Sequence, residues 1–310
     1  MSKYKVLISA PYFVKDIEKF KNELIDHNIE IDIYPVKERL EEADLLSIIG
    51  DYHGVICGDD RFTPKVFDAA TKLKVVVKWG TGIDSIDKVY AESIGIKICN
   101  TLNAFTEPVS DSIIGLMLAF TRRIFQSDRI MKAGGWEKAF GVSMSEVSLG
   151  IVGMGNIGKA VARKLKPFHS KLYGNDILDI PDAKSLGVEM VDLDSLLMNS
   201  DFVAICCDLN PSSHHLINGE KLKRMKSNSV LLNTARGPIV KEIDLINALN
   251  NQIIAGAGLD VFEEEPLAVD SPLRQMDNVI LSSHNVNASP LHWNRIHRNS
   301  LDMLFKNLAT

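Results

Sequence analysis

The segment from Val147 to Gly158 restricts the fold of this chain more than any other. An apolar run, Val147-Ser148-Leu149-Gly150-Ile151-Val152, breaks into Gly153-Met154-Gly155-Asn156-Ile157-Gly158, three glycines spaced G-x-G-x-x-G. The pattern predicts a strand, a tight turn and a helix. Gly153 permits the turn, Gly155 lets a pyrophosphate approach the backbone, and Gly158 lets the helix pack closely on the strand. Backbone N–H groups at Asn156 and Ile157, opening a helix over 156–168, would face phosphate oxygens. Ile157, Ala160, Val161, Leu165 and Phe168 keep a helical period, and Lys171-Leu172-Tyr173-Gly174-Asn175-Asp176 reads as the next strand. An acid at its end, Asp176, accepts hydrogen bonds from a ribose 2′-OH and repels a 2′-phosphate, which favours NAD over NADP.

Bulk properties exclude several classes. The 310 residues leave room for two domains, and 45% hydrophobic content supports a sizeable core. A net charge of −5 with scattered lysines and arginines gives no basic field for nucleic acid. Cys57, Cys99, Cys206 and Cys207 show no C-x-x-C spacing, so neither a redox pair nor a metal site is expected. Three of them lie in apolar strand-like runs, as buried thiols in a reducing compartment would. The N-terminus enters a strand directly from Lys3 and Lys5 without an apolar leader, and the apolar run Ile113 to Phe120 is too short to span a bilayer. A cytoplasmic protein that engages no membrane is expected.

Along the chain, short apolar runs alternate with helical patterns: Val6–Ala10, a helix near 16–27, Ile29–Tyr34, a helix near 40–49, Val55–Cys57, a helix near 64–71, Val75–Lys78, a helix near 85–93, and Ile96–Cys99. Five strands with four crossovers predict a parallel sheet covered on both faces. After the fourth strand, Lys78-Trp79-Gly80-Thr81-Gly82 frees backbone N–H groups beyond a carboxyl end, where a small anion such as a carboxylate could sit. A long helix over 110–133, stopped by Gly134-Gly135, follows. Six further strands are expected: the first two at the glycine motif and Lys171–Asp176, then Phe202–Cys207, Val230–Asn233, Ala255–Asp260 and Val279–Leu281. The tail 290–307 has Trp293, Ile296, Leu301, Leu304 and Phe305 at roughly helical spacing and is expected to return to the first domain. The reading gives two doubly wound parallel-sheet α/β domains, 1–100 with 288–310 and 101–287.

Three segments that follow strands each carry one unusual polar residue: Arg236 in Asn233-Thr234-Ala235-Arg236-Gly237, Glu265 in Asp260-Val261-Phe262-Glu263-Glu264-Glu265, and His284 in Ser282-Ser283-His284. Hydride exchange between NAD and a 2-hydroxy acid needs a cation for the carboxylate, a proton acceptor for the hydroxyl, and a group that tunes the acceptor. A guanidinium matches a carboxylate with two donors, which assigns Arg236. Imidazole titrates near neutrality, which assigns His284. A carboxylate on the far ring nitrogen fixes the tautomer, which assigns Glu265. Taken singly, each of these residues fits a surface ion pair or a solvated turn better; three at successive strand ends downstream of a nucleotide motif do not.

With those residues in hand, the chain resembles the D-isomer-specific 2-hydroxyacid dehydrogenases, most specifically in Leu149–Gly158, Asn233–Gly237, Gly258–Pro266 and His284. The resemblance implies a flavodoxin-like substrate domain, a Rossmann NAD-binding domain, a homodimer, and Arg236, Glu265 and His284 as the catalytic trio. It places Asp260, Thr234 and Ala235 near the nicotinamide, and Thr106 and Cys207 are further candidate cofactor contacts. By the same resemblance Lys78, Trp79 and the amides of Gly80, Thr81 and Gly82 belong to substrate binding. The family's usual V-A-E is Val109-Ser110-Asp111 here, and Ser283 replaces a common proline before the histidine. Lys78 aligns with a phosphate-holding base of some phosphoglycerate dehydrogenases, which makes that activity the alternative within the enzyme class. A dinucleotide-sensing interaction protein, like the family's corepressor relatives, is the alternative outside it.

Overall fold

The computed structural model describes residues 4–309. It contains two compact units, one built from the residues up to Phe105 and from Ser289 onward, the other from Thr106–Ala288. Residues 101–105 thus group with the first unit.

In the first unit, β1 (Tyr4–Ile8), β2 (Ile29–Ile33), β3 (Gly54–Cys57), β4 (Val75–Lys78) and β5 (Lys97–Asn100) form a parallel sheet in the order β2-β1-β3-β4-β5. That is the flavodoxin-like doubly wound order. Every residue of β3 and β4 is buried, which is why Val55-Ile56-Cys57 and Val75-Val76-Val77 read as unbroken apolar runs rather than alternating ones. Crossover helices start at side-chain caps: Thr63 accepts the Val66 N–H ahead of Pro64–Ala69, and Asp87 accepts the Tyr90 N–H ahead of Lys88–Ser93. The single helix expected near 16–27 is instead two short pieces, a 3-10 turn Ile17–Phe20 and a helix Lys21–Asp26, and a further short piece, Pro11–Val14, comes first. Pro11, with its preset φ, starts the first piece soon after β1. The tail helix Pro290–Leu308 lies on β3, β4 and β5 of this same unit. It buries Ile296, His297, Ser300, Leu301, Leu304, Phe305 and Leu308, a stripe of three- and four-residue spacing. A Cβ at Gly54 would fall 2.8 Å from Leu304 Cδ1, so the glycine lets the helix lie on the sheet.

In the second unit, β6 (Ser148–Val152), β7 (Lys171–Asn175), β8 (Val188–Met190), β9 (Phe202–Ile205), β10 (Val230–Asn233), β11 (Gly256–Leu259) and β12 (Val279–Leu281) form a parallel sheet in the order β12-β11-β10-β9-β6-β7-β8. Counted from β6, this is the Rossmann order with one strand added beyond β11, and the order reverses between β6 and β9. Six strands were expected and seven are present. The missed one, β8, is a three-residue edge strand with one buried residue, too short and too exposed to leave an apolar signature.

The long helix expected over 110–133 is two helices, Thr106–Thr121 and Ile124–Lys132. Arg123 between them is left-handed, with φ 51°. The Thr121 carbonyl accepts the Val142 N–H at 2.9 Å, and Arg122 Nη1 donates to the Val142 carbonyl at 3.2 Å. A returning segment thus terminates the first helix, a contact no local pattern encodes. Lys164 ties that helix to Asn156–Leu165, reaching Glu107 and Asp111 at 2.7 Å and the Ser110 hydroxyl at 2.8 Å. Among the described residues no helix is long and apolar enough to cross a membrane, and no group of three or more His, Cys, Asp or Glu side chains could hold a metal ion.

Candidate active site

The glycine motif divides its work as the spacing predicts. Gly153 has φ 98°, and a Cβ there would sit 2.4 Å from the Cys207 nitrogen, so the turn presses on the chain leaving β9. A Cβ at Gly158 would lie 2.2 Å from the Gly153 carbonyl oxygen, which only glycine tolerates. A Cβ at Gly155 would meet nothing within 4 Å, so that position opens onto empty space at a helix start. Amides of Asn156, Ile157 and Gly158 open the helix and have no partner within it. The Asp176 carboxylate accepts the Met154 N–H at 2.7 Å and the Leu178 N–H at 2.9 Å, which fastens it beside the glycine turn. Open space, helix N-terminus and an acid at the end of the second strand fit the pyrophosphate and ribose of a dinucleotide. Cys207 follows β9, its thiol pushed up to about 11 by burial, and all four cysteines are free thiols. Thr106 begins its helix, and its carbonyl accepts the Ser110 hydroxyl at 2.7 Å.

Three neighbouring strands deliver the polar trio. After β10, the Asn233 side chain shapes the loop, accepting the Ala235 N–H at 3.2 Å and donating to the Arg236 carbonyl at 2.9 Å, with Thr234 buried between. Arg236 is half-buried and donates through Nη1 to the Ala235 carbonyl at 2.9 Å. Gly237 sets this loop against the one after β11, since a Cβ there would collide with the Phe262 carbonyl at 1.9 Å. In that second loop Glu265 accepts the Phe262 N–H on Oε1 at 3.0 Å and meets His284 Nδ1 through Oε2 at 2.7 Å. About a quarter of each side chain is exposed (His284 25%, Glu265 22%), so the ring stays reachable.

His284 is itself held in a left-handed backbone, φ 51°, by its N–H donating to the Asp260 carbonyl at 2.8 Å. The Asp260 side chain, fully buried, accepts from the Ser282 hydroxyl at 2.5 Å, the Asn285 N–H at 2.9 Å and the Val286 N–H at 3.3 Å. Its carboxylate therefore shapes the histidine loop. The sequence does not assign tasks to Gly237 and Ser282, which act in contacts between loops, or to Asn233, whose side chain folds back on its own loop. A second pair also went unread: His215 Nε2 lies 2.6 Å from Glu263 Oε1, so the acidic turn carries two histidine partners.

In the first unit, Lys78 is 3% exposed and its ammonium meets Asp59 at 2.6 Å. Trp79 is buried and donates its indole N–H to His297 Nδ1 at 2.9 Å. Gly80 has φ 139°, a conformation that favours glycine. Its carbonyl accepts the Thr101 N–H at 2.8 Å, that of Thr81 accepts Asn100 Nδ2 at 2.6 Å, and the Thr81 hydroxyl donates to the Thr101 carbonyl at 3.0 Å. The loop 80–82 is thus anchored to the chain leaving β5.

A Rossmann-ordered sheet with this glycine turn, and a histidine–carboxylate pair at its carboxyl edge, define an NAD-binding oxidoreductase. Residues 114–286 match the family model described as D-isomer specific 2-hydroxyacid dehydrogenase, NAD binding domain. The chain is 38% identical to a glyoxylate reductase of Korarchaeum cryptofilum, over 86% of this chain and 82% of that one. It is 40% identical to a glyoxylate reductase of Thermofilum pendens, over 79% and 75%. Among solved structures, the NAD-dependent formate dehydrogenase of Staphylococcus aureus in complex with NAD superposes with a TM-score of 0.87 at 26% identity, covering 97% of this chain and 94% of that one. The chain belongs to the D-isomer specific 2-hydroxyacid dehydrogenase family and is an NAD-dependent oxidoreductase of 2-hydroxy and 2-keto acids.

Proposed function

We propose that His284 is the acid–base of this reaction, Glu265 its partner, and Arg236 the cation for the substrate carboxylate. The 2.7 Å contact between Glu265 Oε2 and His284 Nδ1 carries the reading. It leaves the imidazole to work through Nε2, the ring nitrogen that faces away from its own backbone. NAD, when bound, supplies or accepts the hydride. In keto-acid reduction His284 delivers a proton to the carbonyl oxygen through Nε2, and Glu265 stabilises the imidazolium that precedes delivery. Arg236 holds the carboxylate and polarises the carbonyl. We assign the dinucleotide to Gly153, Gly155, Asn156, Ile157, Gly158 and Asp176, with Thr106, Cys207, Thr234, Ala235 and Asp260 around it. On the first unit, Lys78, Trp79 and Gly80–Gly82 serve substrate binding, the glycine loop offering amides to the carboxylate.

The kinship to glyoxylate reductases favours a small D-2-hydroxy acid. The test is a panel of glyoxylate, hydroxypyruvate, pyruvate and phosphohydroxypyruvate with NADH and NADPH. Turnover of a small keto acid with NADH, falling about tenfold or more with NADPH, is expected from the acid at Asp176. Absence of turnover across the panel would overturn the proposal.

We further infer a cytoplasmic homodimer. The free thiols fit a reducing compartment. The helix Ile124–Lys132 has no buried residue, and Ile124, Phe125, Met131, Trp136, Phe140 and Val142 are exposed on the same stretch of the second unit. An apolar surface of that extent fits a second copy of the chain, and light scattering at micromolar concentration reads the stoichiometry directly.

A further inference from the structure

Lys78 ends β4, and the glycine loop begins two residues later. Its alkyl chain runs beside that loop, for a Cβ on Gly80 would lie 3.7 Å from Lys78 Cε. A lone buried ammonium here would attract a second anionic group on the substrate, such as a phosphate or a distal carboxylate. The structure does not leave it alone: Asp59, two residues beyond β3, meets it at 2.6 Å. A second carboxylate adjoins. Asp60 is fully buried, accepts the Leu40 N–H at 2.8 Å and the Ser9 hydroxyl, and is raised above the ordinary carboxylate range chiefly by burial. Ser9, Asp59, Asp60 and Lys78 lie at or just beyond the carboxyl ends of β1, β3 and β4, the edge at which open α/β sheets take ligands. The Lys78 ammonium therefore faces one carboxylate directly and has a second buried beside it.

We propose that Asp59 is a specificity-determining residue, which cancels the Lys78 charge and restricts the enzyme to 2-keto acids carrying a single anionic group. The inference rests on the reading of Gly80–Gly82 as the substrate-carboxylate loop. A monoanionic substrate satisfies its carboxylate at that loop and brings no second charge to the neighbourhood of Lys78. A dianionic one brings its second charge to a place without net positive potential and loses its solvation for nothing in return. Phosphoglycerate chemistry is thereby disfavoured although a lysine is present.

The test compares the wild type with Asp59→Asn on glyoxylate, oxaloacetate and phosphohydroxypyruvate, with Asp59→Ser as a second variant should the amide fail to fold. Freeing Lys78 should raise the ratio of kcat/KM for either substrate with two anionic groups to that for glyoxylate by about tenfold or more. A ratio unchanged within about twofold, with glyoxylate still turned over, overturns the proposal, as does a wild type that reduces phosphohydroxypyruvate as well as glyoxylate. Thermal unfolding with and without inorganic phosphate supplies a readout independent of turnover, because an anion that binds the folded state stabilises it. A phosphate shift confined to the variant supports the charge cancellation, and equal shifts in both proteins overturn it. Should no keto acid be reduced by either protein, the carboxylate-loop reading falls, and the phosphate shift alone decides the charge claim.

Discussion

Two histidine–glutamate pairs hang from the same acidic turn, and they spend different ring nitrogens. His284 meets Glu265 through Nδ1 at 2.7 Å, whereas His215 meets Glu263 through Nε2 at 2.6 Å. Both histidines have φ 51°, and both are partly exposed, so neither backbone nor burial separates them. The nitrogen does. A ring tethered by its inner nitrogen can exchange a proton only through its outer one, while a ring tethered by its outer nitrogen has that position committed to its partner. A third pair, in the first unit, is a lock at both ends: His297, fully buried, accepts the Trp79 indole on Nδ1 and lies 3.2 Å from Asp16 through Nε2. An indole only donates, so Nδ1 carries no proton there, and the imidazole is neutral with its proton on Nε2.

Breaking the comparison at its strongest point gives the largest effect. His284→Ala should lower kcat/KM by about a thousandfold, within the range general acid–base groups supply, while the Kd for NADH moves by less than about twofold. Equal losses in both would show that the ring supports cofactor binding instead. Glu265→Gln keeps a hydrogen-bonding side chain but removes the charge facing the imidazolium, and should cost about ten- to a hundredfold in kcat.

The lock in the first unit should appear first in stability. His297→Phe strands the Trp79 indole and is expected to cost about 1–3 kcal/mol in urea unfolding. Burial holds the His297 pKa below its ordinary value, against a smaller opposing pull from Asp16. A histidine depressed on folding contributes stability that is complete above its unfolded value and is lost as pH falls toward its folded one. The gap between wild type and His297→Phe should therefore shrink between about pH 7 and pH 5; a gap that widens on acidification contradicts the assigned tautomer. The smallest effect is expected at the tether. His215→Ala should change kcat/KM by less than about twofold and stability by under about 1 kcal/mol, as exposed pairs do.

How much of this was legible depended on whether the cause was local. The central strands of both sheets could be read because parallel strands buried on two faces leave continuous apolar runs, and the glycine turn because each glycine has its own steric reason. The edge strand at Val188–Met190 and the break at Arg123 left no such trace, one being too short and the other imposed by Val142 from a distant segment. At the site, Arg236, Glu265 and His284 stood out as polar residues beyond strand ends. That Asp260 turns its carboxylate into the histidine loop, that Gly237 brings two loops within contact, and that His215 shares the acidic turn all depend on tertiary approach. Spacing in one dimension does not encode it.

The central claim is that Glu265 acts through His284, and a double-mutant cycle on kcat/KM addresses it most directly. The account predicts that Glu265→Gln, costly in the wild type, costs less than about twofold once His284 is already alanine. The same factor in both backgrounds would show two residues working independently, and would contradict the pairing on which the proposed chemistry stands.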